Sequence, residues 1–564
     1  MSSYFIKLED FLNNGKNLYK IYFFLFVFLC IVKLPSLISS DIQPWDEGMY
    51  ATRVLSVHTN GDFIDQSSHS VGKFYSASHP PLLIWIGYFV TLIFGLNSIV
   101  LKLIIFIFSL LCILLIMRIG EKLFSLSAGF FAAMIFCSNI IFTVFSQRFQ
   151  FDIPYTFFIL LSFYLIFLYN DTQNYKYLIL SGVAFGCCMM TKILVGIYIP
   201  LVLLLSFFFI KDKVNFRFKD IALLTAIGLL IALPWHLYML VKYGSEFTDF
   251  FFKFHIYDRA LQGVEMNEKN SGYLYHVNYL FSIIPFSVLV IPALIKDIIN
   301  FKILNWQKIF IDMWFLTGLL ILTFFKTKLE VYVLMILIPG CFIIPVYLKD
   351  INRENTYLKA FTVFIVLLNI FWFATEYGRP EIKAFIMHGN MILTAVYIFS
   401  AFLIIYLLSR YAANKIELKK PFYIFIFTFF FGINIYYLFS IPVWVNGFSL
   451  SEIKDHIEKS GKKGIVYVSS NYRFNPQFSF YFNGLNLGWE DPKYSFDLIE
   501  NNDREKNFIN TKAALSKYKE KDFFLIIEKD NINRAPDYDP ELFVPVFYQS
   551  VLKKTGYELY EKKQ

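Results

Sequence analysis

The 564 residues are 57% hydrophobic, 20% aromatic and only 17% charged, with a mean hydropathy of +0.53, which is more apolar surface than a water-soluble core can use. A net charge of +9 suggests a nucleic-acid partner, but the basic residues cluster in short loops between apolar runs, so membrane topology accounts for the charge and no nucleic acid is expected. Cys30, Cys112, Cys137, Cys187, Cys188 and Cys341 all lie in apolar runs and match neither a disulfide framework nor a zinc-ligand spacing.

In chain order, the apolar stretch Ile21 to Val32 followed by Ser39-Ser40 reads either as a secretory signal or as a first span. The long polar leader and Lys33, which can snorkel at the outer end of a retained helix, favour the span. The run Pro81 to Gly95 is short for a span and opens with His79-Pro80-Pro81, so it is expected to lie on the outer surface as a juxtamembrane helix. Counting runs of roughly 20 apolar residues from Ile21, Ile99, Ser127, Ile153, Tyr177, Ile193, Ile221, Tyr279, Phe310, Leu329, Phe361, Met391 and Phe422 gives about 13 transmembrane helices.

With the short run flat, the inner loops collect Arg118 and Lys122, then Lys211, Lys213, Arg217 and Lys219, then Lys296, Lys302 and Lys308, then Lys349 and Arg353, then Arg410, Lys415, Lys419 and Lys420. The amino terminus is then cytoplasmic and the tail extracytoplasmic. Residues 1–444 are expected to form the membrane domain, with an outer loop at 40–98, and residues 445–564 a small α/β domain. Apolar runs at Gly464 to Ser469, Gln477 to Phe482, Phe523 to Ile527 and Leu542 to Phe547 supply its strands, with a helical stretch near Asn507 to Lys517.

The outer loop carries Asp46 and Glu47 in Pro44-Trp45-Asp46-Glu47-Gly48-Met49-Tyr50-Ala51, and this topology places Asp152 on the same face. A lone Asp-Glu pair is usually a solvated loop or a helix cap. Carboxylates from separate segments at one hydrocarbon edge instead mark a functional site. The loop histidines His58, His69 and His79 with Asp46, Glu47 and Asp152 could in principle form a divalent site, but their spacing forms no diagnostic ligand motif, so metal independence is expected and no other cofactor.

Asp46-Glu47-x-x-Tyr50-Ala51, Gly61-Asp62-Phe63 and Pro80-Pro81-Leu82 with Trp85 are followed by Arg148-x-x-x-Asp152, Thr191-Lys192, Pro234-Trp235, His255-x-x-x-Arg259 and Thr327-Lys328-x-x-x-Tyr332 ahead of Pro339. In order and spacing the chain resembles the GT-C glycosyltransferases of the lipid A aminoarabinose transferase and protein O-mannosyltransferase group. The resemblance implies a polytopic α-helical GT-C membrane enzyme of the bacterial inner membrane, with its active site on the periplasmic side. It would move a sugar from a polyprenyl phosphate donor, with inversion, to lipid A or another envelope acceptor.

On that resemblance Asp46 is the base for the acceptor hydroxyl, and Glu47 and Asp152 orient the acceptor or the base. Lys192, Arg259 and Lys328 surround the donor phosphate, with His79, His255, Tyr332, Tyr50 and Arg148 as further substrate contacts. The departures are two: relatives commonly carry a lysine where this chain has His79, whose charge is expected to vary near neutral pH, and an arginine within the Asp-Glu-x-x-Tyr segment, where Gly48 and Met49 stand. Transfer to protein Ser or Thr or to a surface glycan is the alternative acceptor reading. An ion-coupled transporter is the alternative from another class, although no internal repeat is visible.

Overall fold

The computed structural model describes residues 11–12, 14–192, 195–263, 275–276, 280, 287–373, 391–445, 450–469, 475–487, 489, 495–500, 523–528, 543–547 and 557–562. The helices that organise it are α1 (Leu18–Ser39), α2 (Asp46–Asn60), α3 (Leu82–Phe94), α4 (Ser98–Leu123), α5 (Leu126–Cys137), α6 (Asp152–Thr172), α7 (Tyr175–Met189), α8 (Tyr198–Ile210) and α9 (Phe218–Tyr243). After a π-helical segment, Asp249–Asp258, come α10 (Val290–Ile299), α11 (Trp306–Phe324), α12 (Leu334–Asp350), α13 (Thr356–Phe373), α14 (Met391–Lys415), α15 (Lys419–Val445), α16 (Leu450–Ser460) and α17 (Gln477–Tyr481).

Among the described residues seven helices (α1, α4, α6, α9, α11, α12 and α15) are long and apolar enough to cross a membrane, and α3, α5, α7, α8 and α13 are shorter apolar helices. The protein is a polytopic helical membrane protein. The run expected as a juxtamembrane segment is α3, only 13 residues long. The expected span at Ile193 begins later, as a 3-10 turn at Val195–Ile197 leading into α8. The one placed at Tyr279 falls largely outside the described residues, which resume with α10.

Tight helix pairs depend on small residues. A Cβ on Gly120 of α4 would lie 2.2 Å from the Gly129 Cα of α5, so these two backbones meet where no larger side chain fits. Lys33 departs from the snorkelling expectation. It is 1% exposed, with Nζ 3.5 Å from Ser146 Oγ and 5.1 Å from the Phe142 ring centroid, because α1 packs inside the bundle at that level rather than facing an interface. At the opposite end of α6 from Asp152, Lys122 pairs with Asp171.

Beyond α16 lie β1 (Gly464–Ser469), β2 (Ser495–Glu500), β3 (Phe524–Glu528), β4 (Phe543–Phe547) and β5 (Tyr557–Lys562), in the order β2-β1-β3-β5-β4. β1 runs parallel to β2 and β3, while β5 is antiparallel to β3 and β4. The run at Gln477, expected as a strand, is the helix α17: Pro476 precedes its first turn, and Phe478 and Phe482, four residues apart, stack at 4.5 Å on one helical face. Strands β2 and β5 had no counterpart in the sequence reading, and Asn507 to Lys517 lies outside the described residues.

This C-terminal unit sits on the loop that carries Asp46. A Cβ on Gly48 would stand 2.4 Å from the Gln477 backbone nitrogen, so glycine is required where α2 meets α17. Thr52 Oγ1 donates to Pro476 O (3.2 Å), Tyr481 Oη accepts from Ile42 N (3.0 Å), and Asp41 accepts from Ser451 N (3.2 Å) and Oγ (2.6 Å).

Candidate active site

The first turn of α2 is set by its entry. Trp45 has φ 63° and ψ −131°, a backbone region that non-glycine residues avoid, and that kink starts the helix at Asp46. Helix periodicity then sends consecutive acids in different directions. Asp46 is exposed and lines a cavity of about 760 Å³. Glu47 is fully buried and does not line it; its Oε2 accepts from Gln43 N and its Oε1 from Phe149 N, both at 2.8 Å. Burial pushes the Glu47 carboxyl up, opposed by Lys102 and by the backbone donors. Glu47 therefore ties α2 to the segment that leads into Asp152.

Asp152 begins α6 and accepts a 2.7 Å ion pair from Lys192, which follows the end of α7. The ammonium lies 5.3 Å from the Tyr155 ring centroid and 5.6 Å from that of Tyr332. Arg148, one turn before Asp152, lines the same cavity and makes no hydrogen bond to the described residues; its Nε is buried without a partner. Burial lowers its affinity for the proton, against the nearby Glu47 and Asp46 charges.

Arg259 and Lys328 come from segments that pair through their backbones: Thr327 N donates to Arg259 O (2.9 Å) and Lys326 N to Ala260 O (3.0 Å). Lys328 Nζ also caps the carboxyl end of α11, donating to Leu322 O at 2.5 Å and Thr323 O at 3.1 Å. Burial lowers its proton affinity. His79 is 7% exposed, stacked on Phe151 at 5.5 Å and edge-on to His255 at 4.5 Å. Burial first, then His255 and Arg259, hold the His79 imidazole far below its ordinary pKa. Burial and Arg259 do the same for His255. Burial thus disfavours the charged form of His79, against the expectation of a charge that varies near neutral pH.

The 760 Å³ cavity is lined by Asp46, Tyr50, Arg148, Asp152, Lys192, Arg259 and Lys328 with both histidines, so most of the expected site converges. An apolar groove of about 320 Å³ adjoins it, walled by residues such as Leu201, Ile256, Ile321 and Met335. His79, Lys192, His255 and Arg259 line both spaces, and Tyr332 lines the groove alone. Burial, then Asp46 and Asp152, raise the Tyr50 phenol, which keeps its proton as a donor. Among the described residues no group of three or more His, Cys, Asp or Glu is placed to hold a metal ion.

Two contributors escaped the sequence reading. Arg53 is fully buried; its Nη1 donates to Ser76 O (3.0 Å) and its Nη2 to His79 O (2.9 Å) and Gln66 Oε1 (2.8 Å), fixing the loop that presents His79. It stands four residues beyond Met49, one turn along the same helix, and that spacing was the available signal. Gln150 lines the cavity at 5% exposure with its carboxamide oxygen uncommitted, and nothing in the sequence distinguished it.

Residues 78–238 match the family model described as dolichyl-phosphate-mannose-protein mannosyltransferase. The whole chain superposes on ArnT from Cupriavidus metallidurans bound to undecaprenyl phosphate with a TM-score of 0.65, at 15% identity over 96% of this chain and 97% of that one. The chain has the GT-C glycosyltransferase fold. The apo state of the same ArnT matches this GT-C chain with a TM-score of 0.61 at 15% identity, over 95% of this chain and 97% of that one. An uncharacterised protein of Aquifex aeolicus (strain VF5) is 25% identical over 348 residues, 61% of this chain and 77% of its own length.

Proposed function

We propose that this GT-C protein is an inverting glycosyltransferase of the bacterial inner membrane that uses a polyprenyl phosphate sugar and delivers it to a cell-envelope acceptor on the periplasmic face. In this reading residues 1–444 are catalytic and 445–564 form a periplasmic domain. One observation carries it: Lys192 and Arg259 stand at the junction between a polar cavity and an apolar groove. An anionic head joined to a long isoprenoid has that division of polarity, and the solved ArnT was bound to undecaprenyl phosphate.

The chemistry follows from the walls. Asp46 takes the proton of the acceptor hydroxyl as its oxygen bonds to the anomeric carbon, and the bond from that carbon to the phosphate oxygen breaks on the opposite side. The leaving phosphate gains negative charge and needs fixed cations rather than an acid; Lys192 and Arg259 answer that need, with Lys328 beside them. Asp152 keeps the Lys192 ammonium in place and Glu47 keeps α2 in place.

A lipid A-like acceptor is the reading favoured by the sequence resemblance to the lipid A aminoarabinose transferases, carried by motifs such as Asp46-Glu47-x-x-Tyr50-Ala51. Transfer to protein Ser or Thr is favoured by the family model matched over residues 78–238. The test offers purified protein a panel of undecaprenyl phosphate sugars with lipid A and with peptide acceptors, and identifies products by mass spectrometry. A glycosylated acceptor with released undecaprenyl phosphate is expected; no consumption of any donor would refute the reading.

A further inference from the structure

The described charges that line the polar cavity do not cancel. Arg148, Lys192, Arg259 and Lys328 contribute four cations, and Asp46, Asp152 and Glu330 three carboxylates, while burial keeps both histidines neutral. The surplus is a single positive charge. A polyprenyl phosphate sugar is a phosphodiester and brings a single negative charge, which matches the surplus among the described residues.

A cationic amino sugar in this space meets four fixed cations, and the carboxylate best placed to receive it from the α6 side, Asp152, is already committed to Lys192 at 2.7 Å. An acidic sugar adds a negative charge beside Asp46, which must itself stay ionised to accept a proton. What the walls do offer is neutral and uncommitted. Gln150 is 5% exposed and its carboxamide oxygen is buried with no hydrogen-bond partner among the described residues. The Tyr50 phenol stays protonated and lines the same cavity. A carboxamide and a phenol each both donate and accept, the complement of sugar hydroxyls, and a buried polar group costs stability unless a ligand satisfies it.

We infer that the transferred sugar is uncharged and that Gln150, with Tyr50, reads its hydroxyls. The inference rests on the donor reading above and narrows it to a class of sugar. Gln150 arrives in place because it precedes Asp152 by two residues on the segment that Glu47 fixes through Phe149 N, so the group that reads the sugar and the carboxylate that braces Lys192 share one short stretch of chain.

The test measures equilibrium binding of four lipids to the purified full-length protein: undecaprenyl phosphate, undecaprenyl phosphate glucose, the 4-amino-4-deoxyarabinose derivative and the galacturonate derivative. The glucose derivative is expected to bind about tenfold or more tighter than either charged one. Gln150→Ala should weaken binding of the glucose derivative about tenfold and leave that of undecaprenyl phosphate unchanged, and Gln150→Glu should turn the preference toward the amino sugar. An amino-sugar donor that binds wild type as tightly as the glucose donor, or an unchanged preference in Gln150→Glu, overturns the inference. Failure of undecaprenyl phosphate itself to bind would instead overturn the donor reading beneath it.

Discussion

The polar cavity under Asp46 and the apolar groove beside Ile256 and Met335 share four side chains, yet they are built by opposite means. The cavity is made of residues from loops and helix ends, held by backbone hydrogen bonds to Glu47, Arg53 and Lys328. The groove is made largely by apolar side chains of α8, α11, α12 and neighbouring turns. Single atoms therefore decide what happens in the first, and volume decides it in the second. Chemistry should be lost abruptly by point changes in the cavity, whereas the groove should tolerate substitutions that conserve size.

The largest break between the two is expected from Asp46→Asn. Removing the base should lower kcat by about 10²- to 10⁴-fold with undecaprenyl phosphate affinity near that of wild type, as read by single-turnover donor consumption beside a binding isotherm. Changes at the shared junction come next. Arg259→Ala and Lys192→Met should each weaken undecaprenyl phosphate binding by about 10- to 100-fold through loss of a charge-assisted contact. Lys192→Met should also lower the melting temperature, because Asp152 is left buried without its partner, and Lys192→Arg should restore part of both.

Gly48→Ala probes the cavity from outside. The added methyl meets the Gln477 backbone and should cost about 1–3 kcal/mol of stability, measured by denaturation in detergent. In the folded fraction kcat should fall with donor affinity intact, since the methyl displaces Asp46 and not the groove. The smallest effect concerns pH. His79 is held neutral by burial, so its folded pKa lies below the unfolded value of about 6.5. The stability gained by keeping it neutral is fully present above that value and is lost as pH falls from there through the lower folded pKa. Undecaprenyl phosphate affinity should stay level from about pH 7 to 8, and His79→Lys, which adds a fixed charge at that wall, should raise it.

Much of this was legible before any coordinates. Most of the long apolar runs within the described residues fell where helices stand, because some twenty apolar residues have few other uses, and Asp46 and Asp152, expected together from the basic loops, line one cavity. What stayed hidden is the set of partners that chain separation conceals. Nothing in the sequence says that Asp152 is already paired with Lys192, or that Glu47, adjacent to Asp46, spends both oxygens on backbone donors. The Gln477 run was misread as a strand because four apolar residues within six carry no period long enough to separate strand from helix. Lys33 was assigned to an interface because only tertiary packing reveals that α1 is enclosed there.

The most direct test of the division between cavity and groove is an experimental structure of the full-length protein with undecaprenyl phosphate in a lipid nanodisc. The phosphate is expected within hydrogen-bonding distance of Lys192 and Arg259, with the isoprenoid chain running past Ile256 and Met335 and the space under Asp46 left open for sugar and acceptor. A phosphate bound away from both cations, or an isoprenoid chain lying across Asp46, would contradict the account.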